Sequence, residues 1–270
     1  MAIFKNKLAR RLALSAALAV PLGMLAAPVL ANHSWSTYHW ARSSAQLTVP
    51  VGDNVTSTWD AYLSQAVVDW NASTVINSPL VPGSASGKRC GAVAGTIQVC
   101  NSAYGNTGWL GIASISLSNG HISQGTTKLN DTYFNTAQYN TPAWRAMVTC
   151  QEIGHDYGLD HQDTVFTNPN LGTCMDYTND PSTNQHPNAH DYDQLLTIYN
   201  HLEAPSAVSP RGNAAMGAEA GDTPAEWGRA VHFDGNGRPD TFERIDGPGQ
   251  KTMTHVFWAI GEGPRGNRPL

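Results

Sequence analysis

The segment from Thr141 to His161 constrains this chain most, because its pattern is that of one helix with a defined start and stop. Pro142 suits the first helical position, where a missing N–H leaves no hydrogen bond unmade. Gly158 is the expected stop, since glycine adopts the left-handed conformation of a helix end without steric cost. Apolar residues recur at helical spacing, at Ala143, Trp144, Met147, Val148 and Ile153. We therefore expect a helix that packs on a core by one face and ends in a sharp turn.

Polar residues suited to metal chemistry occupy the end of this helix. Gln151 and His155 are four positions apart and project from one face, with Glu152 beside them. The turn at Gly158 allows His161 to return to the same point. Such a set can hold one Zn²⁺ and leave a position for water, from which Glu152 takes a proton as general base. This pattern is typical of metal-assisted hydrolysis of a peptide bond.

The spacing Glu-x-x-His-x-x-Gly-x-x-His over residues 152–161 resembles the motif of the metzincin zinc metallopeptidases, which has a further histidine where this chain has Gln151. Cys174-Met175-Asp176-Tyr177 looks like the Met-turn of astacins and serralysins. The stretch 190–199 looks like the C-terminal helix of matrixins. In overall shape the chain is similar to bacterial secreted matrixin-like proteins whose motif begins with Gln-Glu. The resemblance spans roughly residues 35–202.

The resemblance implies an α+β, zincin-like fold and a zinc metalloendopeptidase. We expect a twisted mixed sheet, a backing helix near residues 58–71, an active-site helix and a small C-terminal β appendage. Met175 would be a structural packing residue beneath the zinc, and Gly158 would be the turn residue. Tyr177 would reach the metal or steady the oxyanion. A different class of function is a catalytically silent secreted binding protein that kept this scaffold.

The third zinc ligand beside His155 and His161 stays open, because Gln151 has no imidazole. Its amide oxygen can coordinate zinc, but it is a weaker donor than histidine. One alternative is that Tyr177 supplies the third ligand while Gln151 hydrogen-bonds the bound water. Another is that the site is degenerate and binds metal poorly. We expect Gln151→His to raise the zinc affinity if position 151 faces the metal.

The four cysteines form an even set in a chain with features of an exported protein, which predicts two disulfides with three possible connectivities. We favour Cys90 with Cys100, which would close a short loop. We favour Cys150 with Cys174 because Cys150 directly precedes Gln151 on the helix and Cys174 directly precedes Met175. In metzincins the helix and the Met-turn meet under the metal.

The N-terminus has the features of a secretory signal peptide over residues 1–31. Four basic residues precede an apolar, alanine-rich stretch, and Val29-Leu30-Ala31 has small residues at the positions of a cleavage site. We expect a metzincin-like catalytic domain at 32–204, an Ala/Gly-rich linker at 205–225 and a small β extension at 226–270. We also expect residues 205–270 to be dispensable for zinc binding.

Local patterns predict further elements of the catalytic domain. Apolar residues at helical spacing predict a helix between Trp59 and Trp70, capped by Ser57 or Thr58. Asn119-Gly120 predicts a hairpin turn between two strands. The Pro/Gly/Ser-rich residues 77–88 predict a loop.

Composition limits the partners that we expect. Charged residues make up 14% of the chain and the net charge is −5, which gives no reason to expect nucleic acid. We expect a secreted monomer that does not contact a membrane after removal of the signal peptide, with an extracellular protein or peptide as substrate.

Overall fold

The fold is organised by one twisted, mixed β-sheet. The computed structural model describes residues 32–85, 87–203 and 221–264. The predicted signal peptide and most of the predicted linker lie outside the described residues. No helix in the described part is both long enough and apolar enough to cross a bilayer.

The sheet comprises nine strands in the described residues. They are β1 (His39–Trp40), β2 (Val51–Asn54), β3 (Leu80–Pro82), β4 (Ile97–Ser102), β5 (Trp109–Ser118), β6 (His121–Asn130), β7 (Arg229–Phe233), β8 (Pro239–Gly247) and β9 (Gln250–Trp258). Their order is β3-β2-β4-β6-β5-β9-β8-β7, and β1 adds to the start of β6. The half from β3 to β6 is parallel, and the half from β6 to β7 is antiparallel.

The described helices are α1 (Asp60–Trp70), α2 (Asp131–Phe134), α3 (Pro142–Asp156), α4 (Ala189–Ile198) and α5 (Pro224–Trp227), with 3-10 turns at Gly87–Arg89 and Pro181–Thr183. Helix α3 begins as expected, with Pro142 in its first turn and the Thr141 side chain accepting a hydrogen bond from the Trp144 amide. Helix α1 differs at its start. Its N-cap is Trp59, and no side chain caps it, so the predicted Ser57 or Thr58 cap is wrong.

Helices α1 and α3 pack closely where the sequence places a glycine. A Cβ atom on Gly154 would lie 2.6 Å from both the Trp70 ring and Met175 Sδ. The Trp70 indole N–H also donates a 3.0 Å hydrogen bond to the Cys150 carbonyl. These contacts fix the rotation of α3 about its axis and therefore the direction of its polar end.

Two local predictions have different outcomes. Strands β5 and β6 form the expected hairpin, with positive φ at Asn119 and Gly120. The expected loop at 77–88 instead contains β3, which pairs parallel with β2. Strand β3 lies at the edge of the sheet, where Pro82 is tolerated because one side needs no hydrogen-bond partner.

The C-terminal strands are not a separate appendage. Strand β9 pairs antiparallel with β5 from Gln250 opposite Ser118 to Trp258 opposite Trp109. Without this pairing β5 would be an exposed, apolar sheet edge, which proteins avoid. Trp109, Trp227 and Trp258 are all buried in the apolar cluster that the added strands cover. The C-terminal segment is therefore continuous with the sheet that supports the end of α3.

Candidate metal centre

The end of α3 and the turn after it bring together the predicted polar residues. Gly158 has φ +91°, and a Cβ there would lie 2.5 Å from the Tyr38 carbonyl oxygen. Only glycine meets both demands without strain. After this turn His161 faces His155, with their Nε2 atoms 3.1 Å apart.

A third histidine, His255 on β9, completes the cluster. Its ring centroid lies 4.0 Å from that of His155 and 4.7 Å from that of His161. One ring nitrogen from each of the three residues lies within 4.8 Å of the others, a spacing that suits a single metal ion. Three imidazoles are a common protein ligand set for zinc. No spacing in the sequence had placed His255 in this site.

The ring nitrogens of His155 and His161 are poised to bind a cation. The Leu159 carbonyl lies 2.8 Å from His155 Nδ1 and only accepts, so it holds a proton on Nδ1 and leaves a lone pair on Nε2. Asp160 Oδ1 lies 3.2 Å from His161 Nδ1, at ion-pair distance although outside hydrogen-bond geometry, and favours a proton on that nitrogen. The Nε2 lone pairs of His155 and His161 then face each other, and a cation between the two nitrogens accepts both.

Burial keeps this cluster neutral. It lowers the pKa of His155 well below its usual range, and it also lowers the pKa of His161. It lowers the pKa of His255 to about 4. Neutral imidazole is the form that coordinates metal, so the three residues fit a zinc ion at neutral pH.

His255 lies between Glu152 and Tyr177. Its Nδ1 is 3.0 Å from Glu152 Oε2, and its Nε2 is 2.7 Å from the Tyr177 hydroxyl. Tyr177 donates in turn to Asp240 Oδ2, and His232 Nδ1 lies 2.7 Å from Asp240 Oδ1. A ligating histidine commonly hydrogen-bonds a carboxylate through its other nitrogen, and Glu152 is placed to take that part.

Environment sets the protonation of the acidic groups. Burial raises the pKa of Glu152 well above its usual range, against a smaller lowering by His161. Burial and then the Asp240 charge raise the pKa of Tyr177, which therefore keeps its proton. Burial also acts to raise the pKa of Asp240, but the hydrogen bond with His232 and other nearby charges hold that pKa below its usual value. Asp240 is thus an ionised acceptor for Tyr177.

Gln151 and Met175 are joined through the segment that begins at Cys174. The Gln151 Nε2 donates a 2.6 Å hydrogen bond to the Cys174 carbonyl, so its amide is anchored to the segment that carries Met175. The Gln151 Oε1 is buried and has no hydrogen-bond partner among the described residues. Met175 is fully buried against α3. Its position agrees with a packing role.

Both favoured disulfides are present in the structure. One joins Cys90 to Cys100, and the other joins Cys150 to Cys174. The second links α3, one residue before Gln151, to the segment of Met175.

The cluster is closed to solvent. The side chains of His161, His255 and Glu152 have zero exposure. The Trp35 ring stacks on His155 with centroids 5.1 Å apart, and Phe166 stacks on Tyr177 at 4.7 Å. A substrate therefore needs a displacement of covering groups before it can reach the cluster.

No protein-family model and no curated protein matches the sequence. Among solved structures, the chain is similar to high choriolytic enzyme 1, a hatching enzyme zinc-protease from the medaka fish Oryzias latipes. The alignment covers 60% of this chain and 94% of that chain, with 12% identity and a TM-score of 0.34. A likeness this weak supports neither a fold assignment nor a function.

Proposed function

We propose that the protein is a secreted, zinc-dependent peptidase whose metal is held by His155, His161 and His255. The convergence of these three imidazoles beside Glu152 is the observation that carries the proposal. Zinc bound there would supply Lewis-acid chemistry, polarising a substrate carbonyl and making water more acidic. We propose an extracellular protein or peptide as substrate and a monomeric enzyme.

Glu152 is the proposed general base. Burial raises the pKa of this carboxyl group well above its usual range, so that Glu152 is a stronger base than an exposed glutamate. One carboxyl oxygen faces His255, and the second is left for a proton from water. Tyr177 keeps its proton, which it donates to Asp240 Oδ2 in this structure, so it would stabilise negative charge on the substrate oxygen only after turning its O–H away from that carboxylate.

His255 would have two tasks in this arrangement. It contributes a metal ligand that the sequence motif lacks, and it orients Glu152 through the 3.0 Å contact. Gln151 is then not required as a ligand. Its unpartnered Oε1 is the observation that supports the alternative in which Gln151 coordinates the metal.

A silent zinc-binding protein is the second candidate, and the complete burial of the cluster favours it. A zinc ion enclosed by protein on all sides stabilises a fold without offering a position for substrate. In that case the same three histidines bind zinc and no peptide is hydrolysed.

Metal content and peptide turnover, measured on the same samples, test the proposal. We expect the purified full chain to contain zinc, to cleave a library of quenched peptides, and to lose cleavage after chelation. Replacement of His255 by alanine should abolish cleavage and lower the zinc content by one equivalent, whereas His186→Ala, at an exposed histidine that hydrogen-bonds Asp69, is the matched control. Zinc uptake without cleavage of any peptide would favour the silent protein. Full zinc uptake by a His155→Ala variant would refute the site.

A further inference from the structure

A second cluster of metal-binding side chains lies apart from the site above. His39 is the first residue of β1 and stands in register with His121, the first residue of β6. His201 and Glu203 follow α4 and face this pair. The cluster thus joins three segments that are far apart in sequence.

One carboxylate oxygen collects the three imidazoles. Glu203 Oε1 lies 2.9 Å from His39 Nε2, 2.7 Å from His121 Nε2 and 3.4 Å from His201 Nε2. The Nε2 atoms of His39 and His201 are themselves 3.2 Å apart. One ligand atom each from His39, His121 and Glu203 lies within 4.8 Å of the others, which makes three donors for one metal ion. His201 Nε2 lies close to two of these three residues and is the candidate fourth donor of a zinc set.

The hydrogen bonds around the cluster leave two acceptor atoms, His39 Nε2 and Glu203 Oε1, facing each other without a proton between them. The Thr37 carbonyl lies 2.6 Å from His39 Nδ1 and only accepts, so it holds a proton on that nitrogen. In the neutral ring the Nε2 lone pair then points at Glu203 Oε1, which also only accepts. Glu203 Oε2 is buried and has no hydrogen-bond partner among the described residues. A cation between His39 Nε2 and Glu203 Oε1 resolves the first of these conflicts.

The backbone near the cluster is fixed in place. The Glu203 amide donates to the Arg42 carbonyl, and the Arg42 guanidinium donates to the His201 carbonyl. Glu203 is mostly buried, whereas His121 and His201 are partly open to solvent, so a metal ion can enter without unfolding. The site is therefore both preorganised and accessible.

We propose that His39, His121, His201 and Glu203 bind a divalent transition metal, zinc in the first instance, as a closed structural site. It would tie the N-terminal segment and the segment after α4 to the sheet. Imidazole and carboxylate ligands suit zinc, and closed sets of four ligands are typical of structural sites. The proposal does not depend on metal binding by His155, His161 and His255.

Zinc titration of the full-length chain against a competing chelator tests the site. The His255→Ala variant isolates the second cluster, and we expect it to bind one equivalent of Zn²⁺. Adding Glu203→Gln or His121→Ala to that variant should weaken this binding by more than about a hundredfold, because even residues that only support a ligand change affinity by about 10–100-fold. Adding His186→Ala should leave it unchanged. Cobalt substitution should give the visible spectrum of a four-coordinate site in His255→Ala and not in the double variant.

Competing outcomes are separable. If His255→Ala binds no zinc, or binds an equivalent that Glu203→Gln leaves intact, the second site is refuted. In the first case the cluster is held together by hydrogen bonds alone. If the wild-type chain binds one equivalent that Glu203→Gln removes, the second site stands and the peptidase proposal fails. Circular dichroism of each variant without metal verifies that the fold is retained.

Discussion

The imidazole of His255 lies 3.0 Å from the carboxyl group of Glu152, although the two residues are 103 positions apart. Strand β9 supplies one partner and helix α3 the other, so the contact depends on the pairing of β9 with β5. The C-terminal segment is thus part of the candidate centre. This placement argues against the prediction that residues 205–270 are dispensable for zinc binding.

The identity of the third ligand leads to the first prediction. We expect His255→Ala to weaken zinc binding at this centre by more than about a hundredfold, since loss of a ligand costs more than loss of its supporting partner. Gln151→Leu should weaken it far less, because the Gln151 amide is already bonded to the Cys174 carbonyl. Chelator competition on both variants, with thermal unfolding to verify folding, measures the difference. An equal loss in both would make Gln151 a ligand.

The disulfide next to the centre gives the second prediction. Replacing Cys150 and Cys174 together by serine should lower the free energy of unfolding by about 2–4 kcal/mol, because the open chain gains conformational freedom. It should also weaken zinc binding, because Gln151 and Met175 follow these cysteines directly. The double replacement of Cys90 and Cys100 is the matched control, which should destabilise the fold without altering zinc affinity at the centre. Urea unfolding and chelator competition measure the two effects.

The sequence predicted what lies close together along the chain. Helix α3, its proline start, the Gly158 turn and the approach of His155 to His161 all follow from local spacing. His255 could not be found in this way. It lies within β9 between threonine and apolar neighbours, and no sequence spacing relates it to His155. Only the β5–β9 register brings it to the site.

The same limit explains the second cluster. His39 and His121 meet because β1 pairs with β6 in parallel, and no local sequence pattern predicts this pairing. Likewise β3 was hidden by the Pro and Gly residues around it, because an edge strand of three residues needs little β-propensity when a partner strand is present. Long-range pairing, rather than local preference, decided each of these elements.

The third prediction concerns the pH dependence of stability through His232. Its hydrogen bond to Asp240 raises the pKa of His232 above 6.5, and burial opposes this less strongly. The group binds its proton more tightly in the folded chain. The contribution of His232 to the free energy of unfolding is therefore complete below about pH 6.5, and it is lost as the pH rises through the pKa of His232 in the folded chain. The stability difference between the wild type and His232→Asn should shrink from pH 5.5 to pH 8.5 in urea unfolding.

A direct measurement supports that comparison. The His232 ring protons should titrate above 6.5 in NMR spectra of the wild type and shift downward in Asp240→Asn, where the partner charge is absent. A His232 titration at or below 6.5 would contradict the prediction.

The last prediction separates metal binding from proton transfer at Glu152. If Glu152 is the base, Glu152→Gln should reduce peptide turnover by roughly a hundredfold to ten-thousandfold, because the amide cannot accept the proton. The amide still forms a hydrogen bond with His255, so zinc content should stay at the wild-type level. Glu152→Ala should lower turnover to a similar degree but also loosen zinc, since His255 loses its orienting partner. Turnover of a quenched peptide and zinc content after dialysis against a chelator distinguish the two variants. Retained turnover in Glu152→Gln would remove Glu152 from the mechanism, and equal zinc retention in both variants would show that His255 is held without it.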